Sequence, residues 1–258
     1  MFGKSGMGTC RSVRDLTASG KRFAAINGMV PNTINRIALP NPEIEVWLAR
    51  LDLDVNQVMQ CTKLLSGDEL SRADRFHFEG DRRRFVVARG VLRTLLGGYL
   101  DIAPAALAFS YTQHGKPFTE NCTQIHFNVS HSGEHALYAI SPSCRLGVDI
   151  ESLDRDIDYN SLASRFFTPR ECAVLLRVPE PDRKRAFLSC WTRKEAVVKA
   201  LGNGLSLPLD QFEVMAGPDN APRVLDAGAN ALRCDEWTLH PIDVDGEYVA
   251  TVAAHRPK

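Results

Sequence analysis

Neither sign of charge is in excess in this chain: lysine and arginine total 31, and aspartate and glutamate also total 31. No net field therefore draws nucleic acid or an anionic membrane, and recognition of a polyanion has to be local. Long apolar runs are missing as well. No stretch approaches the ~20 residues needed to span a bilayer, so we expect a soluble, cytoplasmic protein with no membrane contact. The seven cysteines (Cys10, Cys61, Cys122, Cys144, Cys172, Cys190 and Cys234) are scattered, odd in number and never spaced C-x-x-C. That pattern argues against a disulfide or zinc framework and reads as reduced thiols.

The 258 residues suffice for one large domain or two ordinary lobes. The first forty are unlike the rest, with Lys4, Arg11, Arg14, Lys21, Arg22 and Arg36 against a single acid, Asp15. Without the amphipathic period of a transit peptide, residues 1–40 read as a disordered extension, or as translation begun upstream of a start such as Met29. Folded sequence is expected from about Ile44, where Ile44, Val46, Trp47 and Leu48 suggest a strand.

Two halves then run through the same order of parts. Ser66 with Glu69, and Thr168-Pro169-Arg170-Glu171, have capping-box spacing. Asp81-Arg82-Arg83-Arg84 and Asp182-Arg183-Lys184-Arg185 each lead into a long amphipathic helix ending near glycines. Strands follow each helix: 107–111, 125–129 and 136–140 in the first half, 237–240 and 248–253 in the second. The expected fold class is α+β, with two similar pseudo-symmetric lobes, residues 41–144 and 145–258, and a cleft between them.

Three short segments carry chemistry. In Gly147-Val148-Asp149-Ile150-Glu151 a strand would bury Val148 and Ile150 and project Asp149 and Glu151 from the other face. Two carboxylates so close form either an acidic solvent face or a seat for a hard cation such as Mg²⁺. In Trp191-Thr192-Arg193-Lys194-Glu195-Ala196-Val197-Val198-Lys199, Glu195 and Lys199 lie four apart on one side of a helix. They are either a surface ion pair or, given apolar Trp191 and Val198 beside them, part of a half-buried site. In Phe127-Asn128-Val129-Ser130-His131-Ser132-Gly133, a strand runs into a small-residue turn whose Ser130, His131 and N–H groups can hold phosphate oxygens, or whose histidine is structural. Adjacent Ser130 and His131 point to opposite faces of a strand, so they cannot form a nucleophile–base pair with each other. Gly115-Lys116-Pro117 places a further lysine at a tight turn.

The order G-K-P, F-N-V-S-H-S-G, G-V-D-I-E and W-T-R-K-E-A-V-V-K-A-L-G resembles the 4'-phosphopantetheinyl transferase superfamily over roughly residues 44–255. The two-lobed length and the trailing Ser206-Leu207-Pro208-Leu209 are similar to its surfactin-synthetase-activating (Sfp-type) branch. The resemblance implies a transferase that moves the 4'-phosphopantetheine of coenzyme A onto a carrier-protein serine and releases adenosine 3',5'-bisphosphate. It also implies Mg²⁺, or Mn²⁺ in its place, on Asp149, Glu151 and Glu195. Gly115, Lys116, Asn128, Ser130 and His131 would meet the coenzyme, Arg72 and Arg75 its adenosine end, and Asp149 and Lys199 its diphosphate. Catalysis would fall to Glu195, Lys199 and Asp149, with Glu195 taking the serine proton directly or through a metal-bound water. Acyl, peptidyl or aryl carrier proteins are the implied partners, served by a monomer; the pathway stays open.

Carriers of this kind are usually acidic helical bundles, so Arg82 to Arg84, Arg89, Arg93 and Arg183 to Arg185 would form either a basic docking rim or ordinary solvated helix faces. Other classes fit less well. A non-catalytic coenzyme-binding module would not need all of Asp149, Glu151, Glu195 and Lys199. A nucleic-acid binder fits poorly with neutral overall charge. A metal hydrolase would bring histidine ligands and leaves Lys199 without a task.

Overall fold

The computed structural model describes residues 33–122, 124–202, 207–214, 223–226 and 233–256. Residues 1–32 of the expected extension, and the glycine-rich stretch from Asn203 to Ser206, lie outside them.

In the first half, strands β1 (Ile34–Ile37) and β2 (Glu45–Arg50) precede helices α1 (Val55–Thr62), α2 (Gly67–Ala73) and α3 (Glu79–Leu100). Strands β3 (Phe109–Tyr111), β4 (Pro117–Thr119), β5 (His126–Ser132) and β6 (His135–Ser141) complete it. The second half runs β7 (Arg145–Ser152), α4 (Tyr159–Phe166), α5 (Pro169–Arg177), α6 (Glu180–Leu201), β8 (Glu213–Val214), β9 (Val224–Asp226), β10 (Trp237–Ile242) and β11 (Tyr248–His255). Folded sequence thus starts earlier than expected. Ile34–Ile37, placed in the extension on composition, pairs antiparallel with β2, and Ile34 enters the core.

The two main sheets are built alike. In the order β1-β2-β6-β5 an early strand of the half, β2, pairs with its last, β6; in β10-β11-β7 the first strand of the half, β7, pairs with its last, β11. Each sheet carries one long helix on its outer face, α3 or α6, and both helices are 22 residues long. On α3, Val87, Val91, Leu95 and Leu96 are fully enclosed against Trp47, Ala136 and Tyr138 of the sheet. Burying each such side chain contributes about 1.5–3 kcal/mol, an upper figure for real denatured chains. The inner faces of the two sheets meet in a third cluster, where Val46, Leu137 and Ala139 pack against Leu146, Val148, Ile150 and Val252.

Both capping boxes form, and their glutamates have a second task. Glu69 is 2.6 Å from Arg89 Nε and 2.7 Å from Arg93 Nε. Its counterpart Glu171 is 2.8 Å from Lys194 Nζ, which also donates to the carbonyls of Leu209 and Phe212. Each short helix is therefore clipped to its long helix by a buried ion pair whose remaining polar groups are hydrogen-bonded, the condition under which such a pair is tolerated. Arg89 and Arg93 thus belong neither to a docking rim nor to a solvated helix face. Arg93 is buried, and Arg89 is held between Glu69 and the rings of Phe109 and Tyr111, so neither is free for a partner. Arg82 and Arg84 pair with Asp74 and Asp52, and Arg83 donates to the Leu53 carbonyl.

None of the six cysteines among the described residues is in a disulfide. No helix among those residues is long and apolar enough to cross a membrane.

Candidate active site

Strand periodicity puts Val148 and Ile150 into the inter-sheet core and turns Gly147, Asp149 and Glu151 the other way. Gly147 sits directly under α6. A β-carbon there would lie 1.9 Å from the Ala196 carbonyl oxygen and 2.4 Å from the Ala200 nitrogen. Glycine in the strand, facing two alanines on the helix, lets β7 and α6 approach closely. The carboxylates of β7 and the side chains of Glu195 and Lys199 on α6 are thereby brought together.

Alternation does the same on β5. Asn128, Ser130 and Ser132 share a face and meet β7 through side chains rather than a backbone ladder. Asn128 Oδ1 accepts from the Val148 N–H at 2.8 Å. Ser130 Oγ donates to Asp149 Oδ1 at 2.9 Å. Ser132 Oγ accepts from the Ser152 N–H at 3.0 Å and lies 3.4 Å from Glu151 Oε2. These three residues stitch the first half to the second, beside the acidic pair.

Lys199 Nζ reaches Asp149 Oδ1 at 2.5 Å and Ser130 Oγ at 3.1 Å. The lysine of the i,i+4 pair thus turns to the strand rather than forming a surface pair with Glu195. Asp149 is 4% exposed, and its second oxygen, Oδ2, is buried with no hydrogen-bond partner among the described residues. Glu151 pairs with Arg155 at 2.8 Å. Burial and then the Asp149 charge raise the Glu151 pKa above the usual carboxylate range, with Arg155 opposing. For Glu195 burial raises the pKa most; Lys199 opposes, and the charges of Asp149 and Glu151 add to the rise. Burial first, and neighbouring negative charge after it, thus disfavours ionisation of Glu151 and Glu195, an arrangement that a cation would relieve. No three acidic, histidine or cysteine side chains among the described residues already converge as a finished ligand cluster. The donor set fits a hard cation that keeps some ligands from elsewhere.

His131 opens to the surface at the end of β5, on the opposite face from Ser130, as its spacing requires. Surrounding protein lowers its pKa most, and the charges of Lys199 and Arg72 lower it further, which places Arg72 of α2 in the same electrostatic neighbourhood. The Arg72 guanidinium also lies 5.4 Å from the Phe85 ring centroid. Arg75, just beyond α2, is exposed.

Two residues expected at the coenzyme are engaged otherwise. The Asn128 carbonyl oxygen is used up on β7. Lys116 Nζ donates to the carbonyls of Leu146 and Lys199 at 2.9 and 2.6 Å, so its ammonium is turned into the protein. Gly115 supplies the turn before it, at φ 81°. Sequence reading missed Arg155, although it follows Glu151 by four residues, and it quoted Gly147 without a role. The pairing of one glycine on a strand with Ala196 and Ala200 four apart on a helix was the available signal.

Comparisons with known proteins identify the family. Residues 145–253 match the family model described as the 4'-phosphopantetheinyl transferase superfamily, and residues 54–143 match 4'-phosphopantetheinyl transferase, N-terminal. The 4'-phosphopantetheinyl transferase HetI of Nostoc sp. is 37% identical over 222 residues, covering 84% of this chain and 90% of that protein. The 4'-phosphopantetheinyl transferase Sfp of Bacillus subtilis is 31% identical over 155 residues, 60% of this chain and 68% of its own length. Among solved structures, holo-[acyl-carrier-protein] synthase of Thermotoga maritima aligns over 45% of this chain and 65% of its own, with 16% identity and a TM-score of 0.37, too partial a likeness to argue from. With carboxylates, lysine and serine assembled from both halves, and relatives matched over most of its length, the chain belongs to the 4'-phosphopantetheinyl transferase superfamily.

Proposed function

We propose that the cluster of Asp149, Glu151, Glu195, Lys199, Ser130 and His131 is where this transferase holds the coenzyme A diphosphate and, with it, a divalent cation. The observation that carries the reading is the buried Asp149: one oxygen is shared by Lys199 and Ser130, while the other has no partner among the described residues, and the charge of Asp149 is felt by both Glu151 and Glu195. A buried lone carboxylate oxygen is costly unless something pairs with it.

Asp149, Glu151 and Glu195 would hold Mg²⁺, or Mn²⁺ in its place, which supplies charge neutralisation at the diphosphate oxygens. The remaining chemistry falls to this chain's own side chains. Lys199, already anchored on Asp149, presents a fixed positive charge where negative charge builds on the departing phosphate. His131 and Arg72 offer N–H donors on the phosphate side of the cleft. The carrier serine oxygen attacks the β-phosphorus, its bond to phosphorus forms, and the P–O bond to adenosine 3',5'-bisphosphate breaks. The serine proton passes to Glu195, the carboxylate on α6 beside Lys199. An acyl, peptidyl or aryl carrier protein is the second substrate, and the enzyme acts as a monomer.

The test is the intact mass of a purified apo carrier protein after incubation with the enzyme, coenzyme A and Mg²⁺. A gain of about 340 Da, abolished by EDTA and by Glu195→Gln, is the expected result, since both remove the cation's contribution to the displacement. Gain that persists in EDTA would show that the acids serve another purpose.

A further inference from the structure

Lys116 is held in an unusual way for a turn lysine. The turn between β3 and β4 closes when the Thr112 N–H donates to the Lys116 carbonyl at 2.9 Å, with Gly115 in the left-handed region. This turn belongs to the first half, yet it sends the Lys116 side chain to the end of α6 in the second. A β-carbon on Gly202, the C-cap of α6, would stand 3.4 Å from Lys116 Cδ, so the stem lies in ordinary contact with the cap. The ammonium then donates to Lys199 O at 2.6 Å and Leu146 O at 2.9 Å, with Ala200 O at 3.4 Å.

The last carbonyls of a helix lack intrahelical donors and carry partial negative charge, so a cation there satisfies both needs. The carbonyls chosen matter more than their number. Lys199 is the residue whose own ammonium meets Asp149, and Leu146 lies on β7 three residues before Asp149. One side chain from the first half therefore ties together the two elements that carry Asp149, Glu151, Glu195 and Lys199. Burial, with Arg145 nearby, lowers the Lys116 pKa to about 8, so the group stays largely cationic at neutral pH.

We infer that Lys116 is a positioning residue for transfer: it fixes the last turn of α6 against β7, so that Lys199 and Glu195 face Asp149, and its ammonium serves these carbonyls rather than a coenzyme phosphate. The inference rests on the reading of the Asp149–Lys199 cluster given above.

Steady-state transfer to an apo carrier, with coenzyme A affinity measured separately by calorimetry, tests it on the wild-type enzyme, Lys116→Met and Lys116→Arg. Methionine keeps the length of the stem and removes the donors. A displacement of Lys199 by a fraction of an ångström should lower kcat about 30-fold, while KM and Kd for coenzyme A stay within about twofold. A loss of melting temperature with kcat unchanged would mean a purely structural tie and overturn the inference. A large rise in KM that steepens with salt, with kcat kept, would mean a phosphate contact and overturn it too. Should Lys116→Met not fold, Lys116→Arg carries the test: its planar head cannot serve the same converging carbonyls, so kcat falls and KM holds, whereas a phosphate contact would keep kcat. A wild-type enzyme inert with every carrier would sink the reading of the site itself, an outcome distinct from an active wild type with an equally active Lys116→Met.

Discussion

Asp149→Asn should lower transfer by at least about 10³-fold while leaving the protein folded. The amide keeps an oxygen to accept from Ser130 and Lys199, so the stitching of β5 to β7 survives. What it removes is the negative charge near Glu151 and Glu195 and the buried oxygen left without a hydrogen-bond partner among the described residues. Removing the charge offsets part of the loss of the ion pair with Lys199, but the amide N–H₂ then sits at a buried position without an acceptor, so stability should fall by about 1–3 kcal/mol. Urea unfolding beside the transfer assay separates the two quantities. A variant as active per folded molecule as the wild type would make Asp149 a structural residue and remove the centre of the proposed site.

The second large effect is on the fold. Gly147→Ala places a β-carbon 1.9 Å from one backbone atom of α6 and 2.4 Å from another, and neither is the end of a side chain that can swing away. Either β7 or α6 has to move bodily. Overpacking typically costs 1–3 kcal/mol, and a clash with helix backbone belongs at or above the top of that range, about 3 kcal/mol or more. For a chain of this length that corresponds to a fall of about 6–12 °C in Tm. Activity of the folded fraction should fall as well, because Ala196 and Ala200 adjoin Glu195 and Lys199, and any separation moves them from Asp149. Differential scanning calorimetry reads the first effect and the transfer assay at 20 °C the second. An unchanged Tm would mean that the close approach of β7 and α6 is not what spaces the site.

Much of this arrangement was legible because it follows local periodicity. The two-residue period of a strand sorts Val148 and Ile150 from Asp149 and Glu151, and Ser130 from His131, without knowledge of the fold. Capping boxes at Ser66 and Thr168 announce helix starts because their hydrogen bonds are made within four residues. What stayed hidden depends on partners far away in sequence. Arg89 and Arg93 read as one side of a basic helix face until Glu69, 20 and 24 residues distant, is seen to hold them. Lys199 reads as the partner of Glu195 by helix spacing, yet its closest acceptor, Asp149, is 50 residues away. A turn lysine such as Lys116 is ordinarily solvated, and only the docking of the halves brings a helix end to it. β1 was missed for another reason: its four residues lie in basic, polar sequence, and pairing with β2 outweighs their composition.

The central claim is that acids on β7 and α6 hold a divalent cation at the coenzyme's diphosphate. Electron paramagnetic resonance of Mn²⁺, titrated into the protein with coenzyme A present, tests it most directly. The account predicts about one bound Mn²⁺ per wild-type chain, displaced by Mg²⁺, and none retained at the same concentrations by Asp149→Asn or Glu195→Gln. Equal Mn²⁺ binding by those variants and the wild type would contradict it.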